Sequence, residues 1–138
     1  MASIADTSFV VAVAVQSDSR HQASLQILRQ EETIYLTQPA LAEIAYLLRR
    51  ERGNLMVARF LLGLHMSKYK LIPLHDDDVI RTGELLQEYA DSRVDFVDAS
   101  IAAVAERLKI TRILTLNYRD FHIIRPRHCD YFELLPAP

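Results

Sequence analysis

The sequence predicts an α/β domain with a central, mostly parallel sheet flanked by helices. Three observations carry this. Short runs of strand formers alternate with longer stretches of helical period, as crossover connections between parallel strands require. The 138 residues suit one domain, so residues 1–138 are read as a single unit. Half the residues are apolar and a quarter are charged, which fills a core and excludes a disordered chain.

The elements follow in order. Ser3–Asp6 reads as a strand and Thr7–Val15 as a turn into a short helix. Ser17 or Ser19 is a candidate cap for a helix from Arg20 to Gln30, with Ala23, Ile27 and Leu28 inward. Thr33–Thr37 is rich in strand formers. Pro39 suits the first turn of a helix to about Arg52, because its missing N–H is not needed there. Gly53-Asn54 breaks that helix, and Asn54 caps another to about Lys68, giving a helical hairpin. Lys70–Pro73 is a short strand, and Asp76–Ala90 an amphipathic helix whose acidic first turn suits the helix dipole. Asp95–Leu108 is the most apolar helix, with Asp95 as its N-cap. Arg112–Thr115 is a strand, Arg119–Phe121 a turn, and Tyr131–Leu134 a final strand.

Several functions are excluded. Three glycines, all in or beside helical patterns, leave no Rossmann or P-loop phosphate cradle. The single Cys129 makes no intramolecular disulfide and no cysteine cluster for zinc or iron–sulfur. The apolar run Phe9–Val15 is far short of the ~20 residues that span a bilayer. The first basic residue, Arg20, follows that run, so a secretory signal is not expected and the chain is read as cytoplasmic. His75 beside Asp76–Asp78 reads as a helix start rather than a transition-metal site.

Three carboxylates stand in apolar surroundings. Asp6 ends the first strand, Glu43 lies in the run Ala40–Leu48, and Asp98 lies in Phe96–Ala105. A helix that is apolar all round is buried, so Glu43 and Asp98 are expected to point inward. Each has a plainer account. Asp6 caps a helix, Glu43 snorkels to its helix edge, or Asp98 is satisfied by first-turn amides. No Lys or Arg falls inside these runs. Converging carboxylates without basic partners raise their pKa values or demand a cation. A hard divalent ion with oxygen ligands, Mg2+ or Mn2+, answers that demand.

With these residues in hand, the chain resembles the PIN-domain ribonucleases, most closely the VapC-like toxins of type II toxin–antitoxin systems. Four blocks in order carry the resemblance: Ile4–Phe9 around Asp6, Gln38–Leu48 around Glu43, Val97–Leu108 around Asp98, and Ile113–Phe121 with Ile124–His128. The family's usual T-x-D departs here to Thr115-Leu116-Asn117, a neutral carbonyl in place of a carboxylate. Asp120 and Asp95 are the auxiliary carboxylates that could compensate, although Asp120 alone reads as a solvated turn residue. Phosphatases of the haloacid dehalogenase type also open on a strand-ending aspartate, but need a second one where Ser8 stands.

The resemblance implies a PIN-like three-layer fold and metal-dependent hydrolysis of RNA phosphodiesters. It gives Asp6 and Asp98 the main ion, Glu43 a second ion or the attacking water, and Asn117 an outer place. Thr7, Ser8 and Thr115 are hydroxyls able to orient those carboxylates. It implies RNA as substrate, a small antitoxin as partner and a homodimer, for which the apolar surplus of the hairpin Pro39–Lys68 offers a face. The alternative is a PIN fold that binds RNA or protein with weak or no catalysis. The net charge of −2 conceals an uneven distribution. Asp76–Asp98 holds eight acidic and two basic residues, while Lys109–Asp130 holds five basic and two acidic. Arg119, Arg125 and Arg127 in that stretch are the expected RNA contacts, and Arg49, Arg50 and Arg52 form a second basic cluster.

Overall fold

The computed structural model describes all 138 residues as five strands and six α-helices. In chain order these are β1 (Ala2–Ala5), α1 (Thr7–Ala14), α2 (His21–Gln30), β2 (Thr33–Thr37), α3 (Gln38–Gly63), β3 (Tyr69–Ile72), α4 (Asp76–Glu88), α5 (Phe96–Leu108), β4 (Arg112–Leu114), α6 (Tyr118–Ile123) and β5 (Glu133–Leu135). A 3-10 turn, Leu64–Met66, follows α3. No helix is long and apolar enough to cross a membrane.

The sheet order is β3-β2-β1-β4-β5, and every pairing is parallel. The chain builds outward from β1 to β3, then returns to the other side of β1 for β4 and β5. The order therefore reverses between β1 and β4, where open parallel sheets place their ligands at the carboxyl ends of the strands.

Strand alternation sorts the core into two layers. Ile4 and Ile113 pack with Leu85, Ile101, Val104 and Phe121 on the α4–α5 side. Ala5 and Leu114 pack with Phe9, Ile44 and Leu48 on the α1–α3 side. The α5 helix is buried continuously from Asp98 to Glu106, and its alanines let it lie close to the sheet. Two ion pairs tie α4 to α5: Arg107 to Asp78 at 2.9 Å and Arg81 to Glu106 at 2.7 Å. Burial opposes ionisation of Asp78, but the Arg107 guanidinium outweighs it and holds the carboxyl below its ordinary range. The His75 amide donates to the Asp78 carboxylate at 2.8 Å at the start of α4.

The break expected at Gly53-Asn54 is present: α3 is two helical halves separated by non-helical backbone at Arg52 and Gly53. Gly53 has φ +76° and ψ −173°, a region essentially reserved for glycine, so the break depends on that residue. The second half ends at Gly63 rather than at Lys68. Neither Ser17 nor Ser19 caps α2; Arg20 is its N-cap, and the Asp18 carboxylate accepts from the Arg20 amide at 2.8 Å. The Arg119–Phe121 turn is part of α6, because Phe121 anchors it in the core. The last strand, Glu133–Leu135, starts two residues later and ends one residue later than expected.

Because α5 touches the sheet through alanines, added bulk has nowhere to go. Ala102 is fully buried, and Ala102→Leu is expected to cost about 1–3 kcal/mol by overpacking. The measurement is the urea midpoint of the variant against the parent, with the slope unchanged.

Candidate active site

Asp6 follows β1 at the point where the sheet order reverses. Its backbone is extended, with φ −88° and ψ 160°, so the alternation that sends Ile4 toward α5 sends Asp6 the same way. Its amide donates to the Leu114 carbonyl at 2.8 Å, which fixes it to β4. Its carboxylate is 4 % exposed. Thr115 and Ser8 donate their hydroxyl protons to Oδ2 at 2.9 and 3.1 Å. Each hydroxyl in turn accepts a backbone amide: Asn117 on Thr115 and Leu116 on Ser8, both at 2.9 Å. One proton and two lone pairs per hydroxyl satisfy this arrangement. The chain after β4 is thereby folded back around Asp6.

Asp98 is delivered by the first turn of α5. Asp95 is the N-cap, as expected, and its Oδ1 accepts from the Asp98 amide at 2.9 Å. The Asp98 carboxylate receives only a long bond, 3.3 Å, from the Asp95 amide. A cap bond of that length does not account for a carboxylate that is 5 % exposed. Glu43 departs from expectation. The first half of α3 is not buried all round, since Tyr46 is 63 % exposed and Ala42 is exposed as well. Glu43 itself is half-buried at the edge of the site.

No basic side chain pairs with Asp6, Asp98 or Glu43. Burial raises the Asp6 carboxyl to about 6 despite the two hydroxyl donors and the Thr7 amide, and the Glu43 charge pushes the same way. Burial, then the charges of Asp6 and Asp95, raise Asp98 to about 8. Asp6 thus feels the charge of Glu43, and its own charge acts on Asp98. No three acidic, histidine or cysteine side chains stand close enough to enclose an ion by themselves. The donor set instead fits a hard cation that keeps several of its own waters, as Mg2+ does.

The remaining expected residues divide. The Thr7 hydroxyl is buried without a partner, so Ser8 and Thr115 orient Asp6 and Thr7 does not. Asn117 donates its side-chain amide to Asp120 at 3.0 Å. Asp120 is 8 % exposed, which corrects its reading as a solvated turn residue. Arg119 is exposed on α6, two residues from Asn117. Arg125 turns back onto the His122 carbonyl. Arg127 lies beside Glu84, and its amide donates to Glu106 near the far end of α5, so it is drawn away from Asp98. Arg52 lines a groove of about 990 Å3 with Ala14, Val15 and Arg59, at the end of α1 opposite Asp6.

Comparisons with known proteins agree with the fold. The family profile described as PIN domain matches residues 4–125. The chain belongs to the PIN-domain family. Ribonuclease VapC26 of Mycobacterium tuberculosis is 26 % identical over 137 residues, covering 96 % of this chain and 99 % of that protein. The crystal structure of Mycobacterium tuberculosis VapC20, described as a sarcin-ricin loop cleaving toxin, superposes with a TM-score of 0.78 at 21 % identity. It covers 86 % of this chain and 92 % of its own. VapBC2 of Rickettsia felis, solved on a DNA fragment from its promoter, gives 0.71 at 19 % identity over 97 % of this chain and 98 % of its own. These structures share the PIN fold with this chain; its five-stranded sheet is wholly parallel.

The raised carboxyls dictate a pH dependence. Both bind protons more tightly folded than unfolded, where the ordinary value is 3.8. Their contribution is therefore full below about 4 and is lost as pH rises through about 6 for Asp6 and about 8 for Asp98. In chelator, Asp98→Asn is expected to melt higher than the parent at pH 8.5 and to lose that advantage near pH 4. A calorimetric melting series across that range checks it.

Proposed function

We propose that this PIN domain is a divalent-cation-dependent endoribonuclease, acting as the toxin of a toxin–antitoxin pair. The observation that carries the reading is the pair of buried carboxylates, Asp6 and Asp98, raised in pKa and without any basic partner. Names of relatives support it, since VapC26 is a ribonuclease and other structural neighbours are toxin–antitoxin complexes.

Asp6 and Asp98 would hold the cation, Mg2+ or Mn2+, with the Asn117 carbonyl as a neutral third donor. A bound divalent ion supplies a more acidic water and a counter-charge for the phosphate. Glu43, half-buried and open to solvent, orients the attacking water and takes its proton. Ser8 and Thr115 keep the Asp6 carboxylate in one orientation. Arg119, exposed beside the site, meets the RNA backbone. The ion pairing of Arg127 and the inward turn of Arg125 favour Arg119 over both for this contact.

The antitoxin and a second copy of the chain both need apolar surface. The second half of α3 and the turn after it expose Leu55, Leu62 and Met66, at 62, 75 and 84 %. Met56, Val57 and Phe60 of the same stretch pack on the core instead. The exposed three are the surface proposed for the antitoxin or the dimer contact.

Purified chain free of any partner is expected to cut RNA with Mg2+ or Mn2+ and to stop in chelator. Asp6→Asn and Asp98→Asn are each expected to lose about 100-fold or more while keeping the parent's circular dichroism spectrum. A chain that binds RNA but cuts none under either metal would be the non-catalytic binding module instead.

A further inference from the structure

We propose that Asp120 is a positioning residue, which holds the Asn117 carboxamide so that its carbonyl oxygen serves the cation site. The proposal rests on the reading of Asp6 and Asp98 as cation ligands. Asn117 is the N-cap of α6, yet its side chain makes no capping bond to that helix. An N-cap asparagine ordinarily turns its oxygen onto the amide of the second or third helical residue. Here the polarity is reversed. The Asn117 Nδ2 donates to Oδ2 of Asp120, the third helical residue, at 3.0 Å.

Only the NH2 end of the carboxamide can face a carboxylate, since the oxygen end would set two acceptors against each other. The oxygen of an amide points away from its nitrogen, so the bond turns Oδ1 away from Asp120. The rest of Asn117 is fixed from the other side. Its backbone amide donates to the Thr115 hydroxyl at 2.9 Å, and that hydroxyl donates to Asp6 Oδ2 at 2.9 Å. One continuous chain of hydrogen bonds therefore runs from Asp120 through Asn117 and Thr115 to Asp6. Asp120 is 8 % exposed, takes part in no ion pair, and has Asn117 as its one side-chain partner. A buried charge spent on a single neutral amide is costly unless the orientation it enforces has a use.

The arrangement makes Asn117 and Asp120 a matched pair. A carboxylate at 117 would face that of Asp120 across about the same 3.0 Å and repel it. Exchanging the two residues keeps the hydrogen bond and brings a charged oxygen to position 117.

The test is Mn2+ binding to the full chain, followed by calorimetry and by the electron paramagnetic resonance of free Mn2+, beside melting in chelator. Asp120→Ala is expected to weaken Mn2+ binding about 10–100-fold, the range for residues that orient a ligand. Asp120→Asn, whose side-chain oxygen still accepts the Asn117 proton, is expected to stay within about 3-fold of the parent. Asn117→Asp alone is expected to lower the melting temperature in chelator, and the exchanged pair Asn117→Asp with Asp120→Asn to restore it and to bind Mn2+ at least as tightly as the parent. Unchanged Mn2+ affinity in Asp120→Ala overturns the proposal. So does an Asp120→Asn loss as large as that of Asp120→Ala, which would make Asp120 a direct ligand. If Asp120→Ala does not fold, the exchanged pair decides: failure to recover from the Asn117→Asp defect overturns it. A parent chain that binds no Mn2+ removes the cation reading itself, and the proposal with it, which separates the two failures.

Discussion

Two carboxylates that repel each other are held together by the packing of α5 on the sheet. Asp6 comes from the end of β1 and Asp98 from the first turn of α5, and neither has a positive neighbour to offset its charge. The position of Asp98 is not set by attraction to anything in the site. It is set by nine consecutive buried residues of α5 and by the clamps Arg107–Asp78 and Arg81–Glu106 behind it. The apolar core therefore offsets the electrostatic cost of the site, and the site exists where the fold can sustain it.

The same logic divides the charges of the molecule. Asp78 of α4 and Glu106 of α5, away from the site, are paired with arginines, and their carboxyls are held below the ordinary range. Asp6 after β1 and Asp98 in the first turn of α5 are left without a basic partner, and theirs are raised. Two populations of carboxylate, similar in sequence, are separated by whether a guanidinium lies within reach. Hydroxyls rather than cations orient Asp6, which fixes its geometry and leaves its charge uncancelled.

The main site residues were legible because charge in an apolar run is a local signal. Asp6 and Asp98 announce themselves that way, and the parallel sheet follows from the alternation of elements. Glu43 stands out in the sequence as a candidate but not in its depth, because Ala42 and Tyr46 look buried by composition and are exposed in fact. Asp120 looks solvated in the sequence because Tyr118-Arg119-Asp120 is a polar stretch. Its burial arises from Phe121, which draws α6 onto the core. The placement of Arg127 is hidden for a related reason. Counting charge by segment cannot show that the chain after α6 runs back beneath the far end of α5, where Glu106 accepts its amide. The choice of Ser8 over Thr7 depends on the direction of the first helical turn, which no residue pattern displays.

Thr115, which steadies Asp6, donates its own amide to the carbonyl of Leu135, and Tyr118 donates its hydroxyl to Pro136. The partners of the site thus lie more than a hundred residues apart along the chain. Synthesis proceeds from the amino end, and contacts of such long range form late. While the chain is still emerging from the ribosome, Asp6 has been made but the strand that frames it has not. The frame around Asp6 is complete only when the chain through residue 135 has been made and β5 has paired with β4.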